Sequence, residues 1–213
     1  AVHFVTWFES LQHTSVASST TIVCTEVIWV SFGFCLFLKG RIGKNAAFAI
    51  AVTLLGSVII ALADSGAGEG HLEGDILAVL AAVCSAVYML FGRSAQKKLS
   101  TTVYTYLVYG SCALVLLIVC LVQNTGLLAS GVNPVVVGFL LALFSTILGH
   151  TIFSWALKFY SPSFVSACKL MEPVGAGILA IFLFGEIPAP MALLGGVLIL
   201  GGVWYYSRIE KRA

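Results

Sequence analysis

The sequence predicts an all-α fold, a polytopic bundle of transmembrane helices, on three observations. Hydrophobic residues make up 60% of the 213 residues and charged residues only 9%, whereas a soluble domain carries about 25% charged residues. Too few polar side chains exist to cover a water-facing surface, so most of that surface must face lipid or other apolar helices. The apolar residues also fall in long unbroken runs, without the alternation over about ten residues that marks a membrane barrel strand. Finally, nearly all charges are confined to short segments between those runs. A backbone in hydrocarbon must satisfy its own hydrogen bonds, which a helix does within one segment.

The chain opens on a short apolar stretch, Ala1 to Leu11. That is too short to cross about 30 Å of hydrocarbon alone, so an N-terminally truncated copy of a longer protein is expected. No basic segment precedes it, and it does not read as a signal peptide. Seven runs of membrane-spanning length follow, at 16–38, 45–63, 75–92, 103–122, 135–157, 163–184 and 190–206. Gly and Pro punctuate the connections, as at Lys39-Gly40-Arg41, Asn133-Pro134 and Pro188-Ala189-Pro190. Six cysteines lie inside apolar runs without metal-ligand spacing and read as small packing residues.

The connecting segments alternate in charge. One side collects Lys39, Arg41, Lys44, Arg93, Lys97, Lys98, Lys158, Arg208, Lys211 and Arg212, ten of the eleven Lys and Arg. The other collects Glu9, Asp64, Glu69, Glu73, Asp75 and Glu186. The positive-inside rule places the first side, and with it the C-terminus, in the cytoplasm. A net charge of +2 implies no nucleic-acid partner.

Two stretches resemble each other at a spacing of about 146 residues: TSVASSTTIVCTEVIW from Thr14 and YSPSFVSACKLMEPVG from Tyr160. Ser15 aligns with Ser161, Glu26 with Glu172 and Gly56 with Gly202, while His3 and His150 align with a slip of one. The segment after the first copy is basic and that after the second is acidic, so aligned positions fall on opposite sides of the membrane. That is the pattern of an inverted repeat, which places a site near the bilayer midplane.

Three ionisable residues remain inside the runs: Glu26, Lys169 and Glu172. Each costs about 2.5–3.5 kcal/mol at the bilayer centre on insertion scales, so they should face the interior of the bundle. Lys169 and Glu172 are three apart and can pair on one helix face. Pro173 leaves the Lys169 carbonyl without its helical partner. A substrate or proton site is one interpretation, with Glu172 or Glu26 protonatable and Lys169 binding a substrate carboxylate. A structural ion pair with a protonated Glu26 is the other. His3 and His150 can relay protons or simply bond between helices. Tyr88 and Trp155, with Trp7 and Trp29, can line a cavity for an amphipathic ligand or serve as packing and interface residues. Glycines in the last helix, Gly195, Gly196, Gly201 and Gly202, permit close packing within the chain or a homodimer contact.

The stretch EGDILAVLAAVCSAVYMLFGR (Glu73 to Arg93) resembles the sixth helix of drug/metabolite transporters of the EamA-like kind. FVSACKLMEPVGAGILAIFLFGE (Phe164 to Glu186) and LLGGVLILGGVWYYSR (Leu193 to Arg208) resemble the ninth and tenth, and the segment Thr14 to Arg41 the fourth. The Glu-Pro at Glu172-Pro173 matches the family, whereas Glu26 is followed by Val27. The resemblance implies ten helices in two five-helix halves, with about the first two and a half absent here. On that template, 1–63 completes the first half, 64–74 is an extracytoplasmic linker, 75–207 is the second half and 208–213 is a basic tail. It further implies a secondary transporter of the plasma membrane, without cofactor or catalysis. Such a protein moves a metabolite, amino acid or drug-like molecule, in the export direction. A non-transporting sensor or assembly subunit is the alternative. No nucleotide-binding or hydrolase motif is present.

Overall fold

A computed structural model describes residues 1–14, 16–64, 72–123, 132–185 and 187–210. The described residues are all-helical: α1 (Val2–His13), α2 (Val16–Cys24), α3 (Glu26–Phe37), α4 (Lys44–Asp64), α5 (Leu72–Gln96), α6 (Thr101–Val122), α7 (Val132–Leu140), a π-helical stretch (Leu141–His150), α8 (Thr151–Ala156), α9 (Pro162–Lys169), α10 (Glu172–Phe184) and α11 (Pro190–Ile209). Six spans among them are long and apolar enough to cross a membrane: Ser18–Phe37, Lys44–Ala63, Leu72–Gln96, Thr101–Val122, Val135–Ala156 and Pro190–Ile209. The sixth expected run, 163–184, is divided at Leu170 and Met171 into α9 and α10. The expected acidic and uncharged connections at 65–71 and 124–131, and Glu186, lie outside the described residues.

The chain divides into two compact units, one of Phe91–Phe159 together with Ala1, the other of Val2–Leu90 and Tyr160–Ala213. In the first, the Ser100 hydroxyl caps α6 by accepting from the Val103 amide at 3.2 Å. Tyr109 on α6 donates to the Thr146 carbonyl at 3.1 Å and meets the Thr151 hydroxyl at 3.0 Å. It thereby serves a backbone group of the π-helical stretch. Arg93 is buried and donates to the Leu157 carbonyl at the end of α8, where a cation opposes the negative end of the helix dipole.

In the second unit, Val27, Ala49, Ile50, Ala167, Leu170 and Tyr206 form an apolar core that draws on α3, α4, α9 and α11. Its tightest packing joins α4 to α11. A Cβ on Gly56 would stand 2.6 Å from the Gly195 carbonyl oxygen and 2.9 Å from Ile199. A Cβ on Gly202 would strike the Thr53 hydroxyl and stand 3.1 Å from the Ala49 carbonyl oxygen. Contacts rise along α4 as they fall along α11, so the two helices run antiparallel. Without side chains at these points the backbones approach to a distance that any larger residue would forbid. Overpacking a fitted contact costs about 1–3 kcal/mol. Gly56→Val should therefore lower the thermal unfolding midpoint in detergent, whereas Gly201→Val, at an open position, should leave it nearly unchanged.

Candidate functional site

Two helices of the second unit are broken, and the breaks occupy matching places. The first falls at Thr25, between α2 and α3. The Thr25 amide and hydroxyl both donate to the Ile22 carbonyl, at 3.0 and 2.6 Å. That is a tightened turn that ends the regular ladder. The second falls at Leu170 and Met171, whose amides bond to Ala167 and Cys168 three residues back, at 3.2 and 3.1 Å. Pro173 follows and has no amide hydrogen to return to Lys169. After each break the helix resumes on a glutamate: Glu26 opens α3 and Glu172 opens α10. Those two residues stand 146 apart.

An ion pair ties the breaks together. The Lys169 ammonium donates to both Glu26 carboxylate oxygens, each at 2.8 Å. Their side chains are 19% and 7% exposed, so protein closes over the contact. Each charge also suits its helix end. Glu26 lies at the positive N-terminus of α3 and Lys169 at the negative C-terminus of α9. Spacing alone predicts pairing of Lys169 with Glu172, and the structure corrects this. Neighbours three apart share a face only on a continuous helix, and the turn at Leu170 and Met171 intervenes. Glu172 stays within electrostatic reach of Lys169 and Glu26 but is exposed on the surface of the unit.

Two more of the expected residues join this cluster. His3 on α1 donates from Nδ1 to the Ala81 carbonyl at 2.9 Å, because a carbonyl can only accept. The ring lies within electrostatic reach of Lys169 and Glu26. Trp7 stacks on it at 5.9 Å, and the Trp7 indole nitrogen is buried with no hydrogen-bond partner among the described residues. Tyr88 on α5 lies within electrostatic reach of Lys169. His150 and Trp155 belong to the other unit. His150 ends the π-helical stretch, while Trp155 is half exposed and packs on Phe159 at 4.9 Å.

Sequence reasoning missed Thr25, whose hydroxyl gives a break without a proline. It also missed a cleft of about 560 Å3 near the start of α4 and the end of α11, where Arg41 and Lys44 face Ser161, Tyr206 and Glu210. There the Glu210 carboxylate accepts from the Ser161 amide at 2.8 Å. Among the described residues no cluster of His, Cys, Asp or Glu is arranged to hold a metal ion.

These features define a polytopic helical membrane protein with charged groups at helix breaks. Residues 72–208 match the EamA-like transporter family, and the chain belongs to that family. Among its relatives is an uncharacterized transporter, YdfC of Bacillus subtilis (strain 168), 27% identical over 92% of this chain and 64% of the relative. Another is an uncharacterized transporter of Clostridium kluyveri, 25% identical over 95% of this chain and 67% of the relative. The chain thus spans about two thirds of the length of these relatives. A solved crystal structure superposes with a TM-score of 0.82 at 16% identity, over 97% of this chain and 72% of its own, which establishes the same helical fold.

Removing one partner of a buried ion pair strands the other and costs about 3–5 kcal/mol. Lys169→Met and Glu26→Gln should each destabilise the protein in detergent. The double variant should recover much of the loss, since neither charge is then left alone. Additive losses in a double-mutant cycle would show that the two side chains do not interact.

Proposed function

We propose that the protein is a secondary transporter that carries a small metabolite, amino acid or drug-like molecule out across the plasma membrane by alternating access. Its site lies at Glu26, Lys169 and Glu172, where the two copies of the inverted repeat meet. The observation that carries this reading is the pair of helix breaks 146 residues apart, each resuming on a glutamate, and spanned by the Lys169–Glu26 bond. Discontinuous helices near the midplane are the usual means by which transporters expose polar groups to a ligand. The α4–α11 contact supports the repeat independently. Gly56 meets Gly195 and Ile199, and Gly202 meets Ala49 and Thr53. Adding 146 to the α4 positions 49, 53 and 56 gives the α11 positions 195, 199 and 202, so one operation exchanges the two sets of contacts. Two antiparallel helices exchanged in this way are related by a twofold axis across them, as inverted halves would require.

His3 and Tyr88 border the site and are its secondary members. The basic segments set the orientation, with Lys39 and Arg208 cytoplasmic. The protein performs no covalent chemistry on its substrate and takes its energy from an ion or solute gradient.

Flux measured in proteoliposomes, on the protein expressed from its complete coding sequence, tests the site. Glu172→Gln and Lys169→Met should each reduce flux at least tenfold, and undiminished flux in both would remove the site from the pathway. Orientation is checked separately. Cysteines placed at Lys39 and Arg208, in a background without the native thiols, should react with an impermeant reagent only from the cytoplasmic face. Labelling from opposite faces would overturn the inverted arrangement.

A further inference from the structure

The cleft at the end of α11 holds more positive charge than its own contacts use. Arg41 and Lys44 line it, and among the described residues neither has an ion-pair or hydrogen-bond partner. Its one acid, Glu210, is already engaged, because the carboxylate accepts from the Ser161 amide at 2.8 Å. The Tyr206 hydroxyl bonds to the Ser161 side chain, so these polar groups satisfy one another. The sequence sharpens the imbalance. Segments 39–45 and 208–212 together carry six Lys and Arg and a single acid. Lys39 keeps its charge even at a left-handed backbone position, φ 52°, where glycine is the residue without strain.

The cleft lies at headgroup depth. Three of the apolar spans end beside it: Ser18–Phe37 just past Phe34, Lys44–Ala63 at its first residue and Pro190–Ile209 at its last. That is the level at which hydrocarbon gives way to the polar interface. Phe34, Ile42 and Ile209 line the cleft with apolar surface, opposite in character to Arg41 and Lys44. Its volume, about 560 Å3, is in the range of small-ligand sites. Two cations beside a spent carboxylate call for an anion whatever covers the cleft, since an apolar helix laid across them would bury unpaired charge. Arginine and lysine both bind phosphate, the first through its planar fork and the second as a point charge.

We propose that this cleft binds the phosphate of an anionic phospholipid, with Arg41 and Lys44 on the phosphate oxygens and the first part of an acyl chain against Phe34, Ile42 and Ile209. Basic pockets between helices at the membrane surface are suited to such headgroups. Glu210 is the counterweight: its carboxylate repels the incoming phosphate and limits the affinity. The site is independent of the helix breaks at Glu26 and Lys169, and it holds its lipid whether or not a solute is carried.

The experiment is equilibrium binding to the complete purified protein in nonionic detergent. The probes are dioctanoyl phosphatidylglycerol, dioctanoyl phosphatidylcholine and inorganic phosphate. Phosphatidylglycerol should bind saturably and more weakly as salt rises. Phosphatidylcholine, with the same chains and no net charge, should bind at least tenfold more weakly, and inorganic phosphate, which has no chain, should compete poorly. Arg41→Gln combined with Lys44→Gln should weaken phosphatidylglycerol binding at least tenfold. Lys97→Gln combined with Lys98→Gln removes two cations from the other compact unit and should leave it unchanged. Glu210→Gln keeps an oxygen for the Ser161 amide but loses the charge, and it should tighten binding, a gain that misfolding cannot imitate. No saturable binding, equal binding of the two lipids, or unchanged binding in the Arg41 and Lys44 double variant would overturn the site. An equal loss from the two double variants would also overturn it, by showing diffuse attraction to basic surface. Competition by inorganic phosphate as strong as that of the lipid would retain a phosphate site and overturn the lipid as its source.

Discussion

The ammonium of Lys169, enclosed by both oxygens of Glu26, is the constraint around which the larger compact unit is organised. The two residues are 143 apart in the chain, so the bond closes a long loop and fixes the end of α9 against the start of α3. It is possible there because both helices stop and start again at that level. An unbroken helix would present neither its positive nor its negative end. The partial charges of those ends favour each member of the pair where it sits. Neither charge could be accommodated in an apolar interior without the other.

The second organising contact is apolar and depends on the absence of side chains. Gly56 on α4 and Gly195 and Gly202 on α11 let the two helices touch backbone to backbone. Lipid tails are as apolar as leucine, so burying leucines gives little advantage in a membrane. Close fit and dispersion replace the hydrophobic effect as the force that holds helices together. The second unit uses both resources: a sealed charge pair on one pair of helices and a glycine-lined contact on another.

Much of this was legible in the sequence, for identifiable reasons. Length and hydropathy exposed the spans, because few arrangements other than a helix satisfy a backbone in hydrocarbon. The helix α5 runs longer than its apolar core at 75–92, from Leu72 to Gln96. Glu73 and Asp75 suit its first turn and Arg93 its last, so charged ends extended what hydropathy alone would cut short. Glu26 and Lys169 stood out as charges in apolar runs, yet their pairing did not, since nothing local links residues so far apart. The local candidate, Lys169 with Glu172, assumed a continuous helix. The turn at Thr25 was also hidden: a threonine in a helix is ordinary, and only the geometry shows its hydroxyl bonded to Ile22. The π-helical stretch Leu141–His150 left no signal in the pattern of apolar residues.

The two interruptions are alike in position and unlike in chemistry. At Pro173 the missing hydrogen is covalent, and no rearrangement of the chain can supply it. At Thr25 every donor of a regular helix is present, and the hydroxyl on Ile22 merely competes with the ladder. One joint is permanent and the other is reversible. The joint at Thr25 could therefore anneal into an unbroken helix by giving up one side-chain bond, whereas the joint at Pro173 could not.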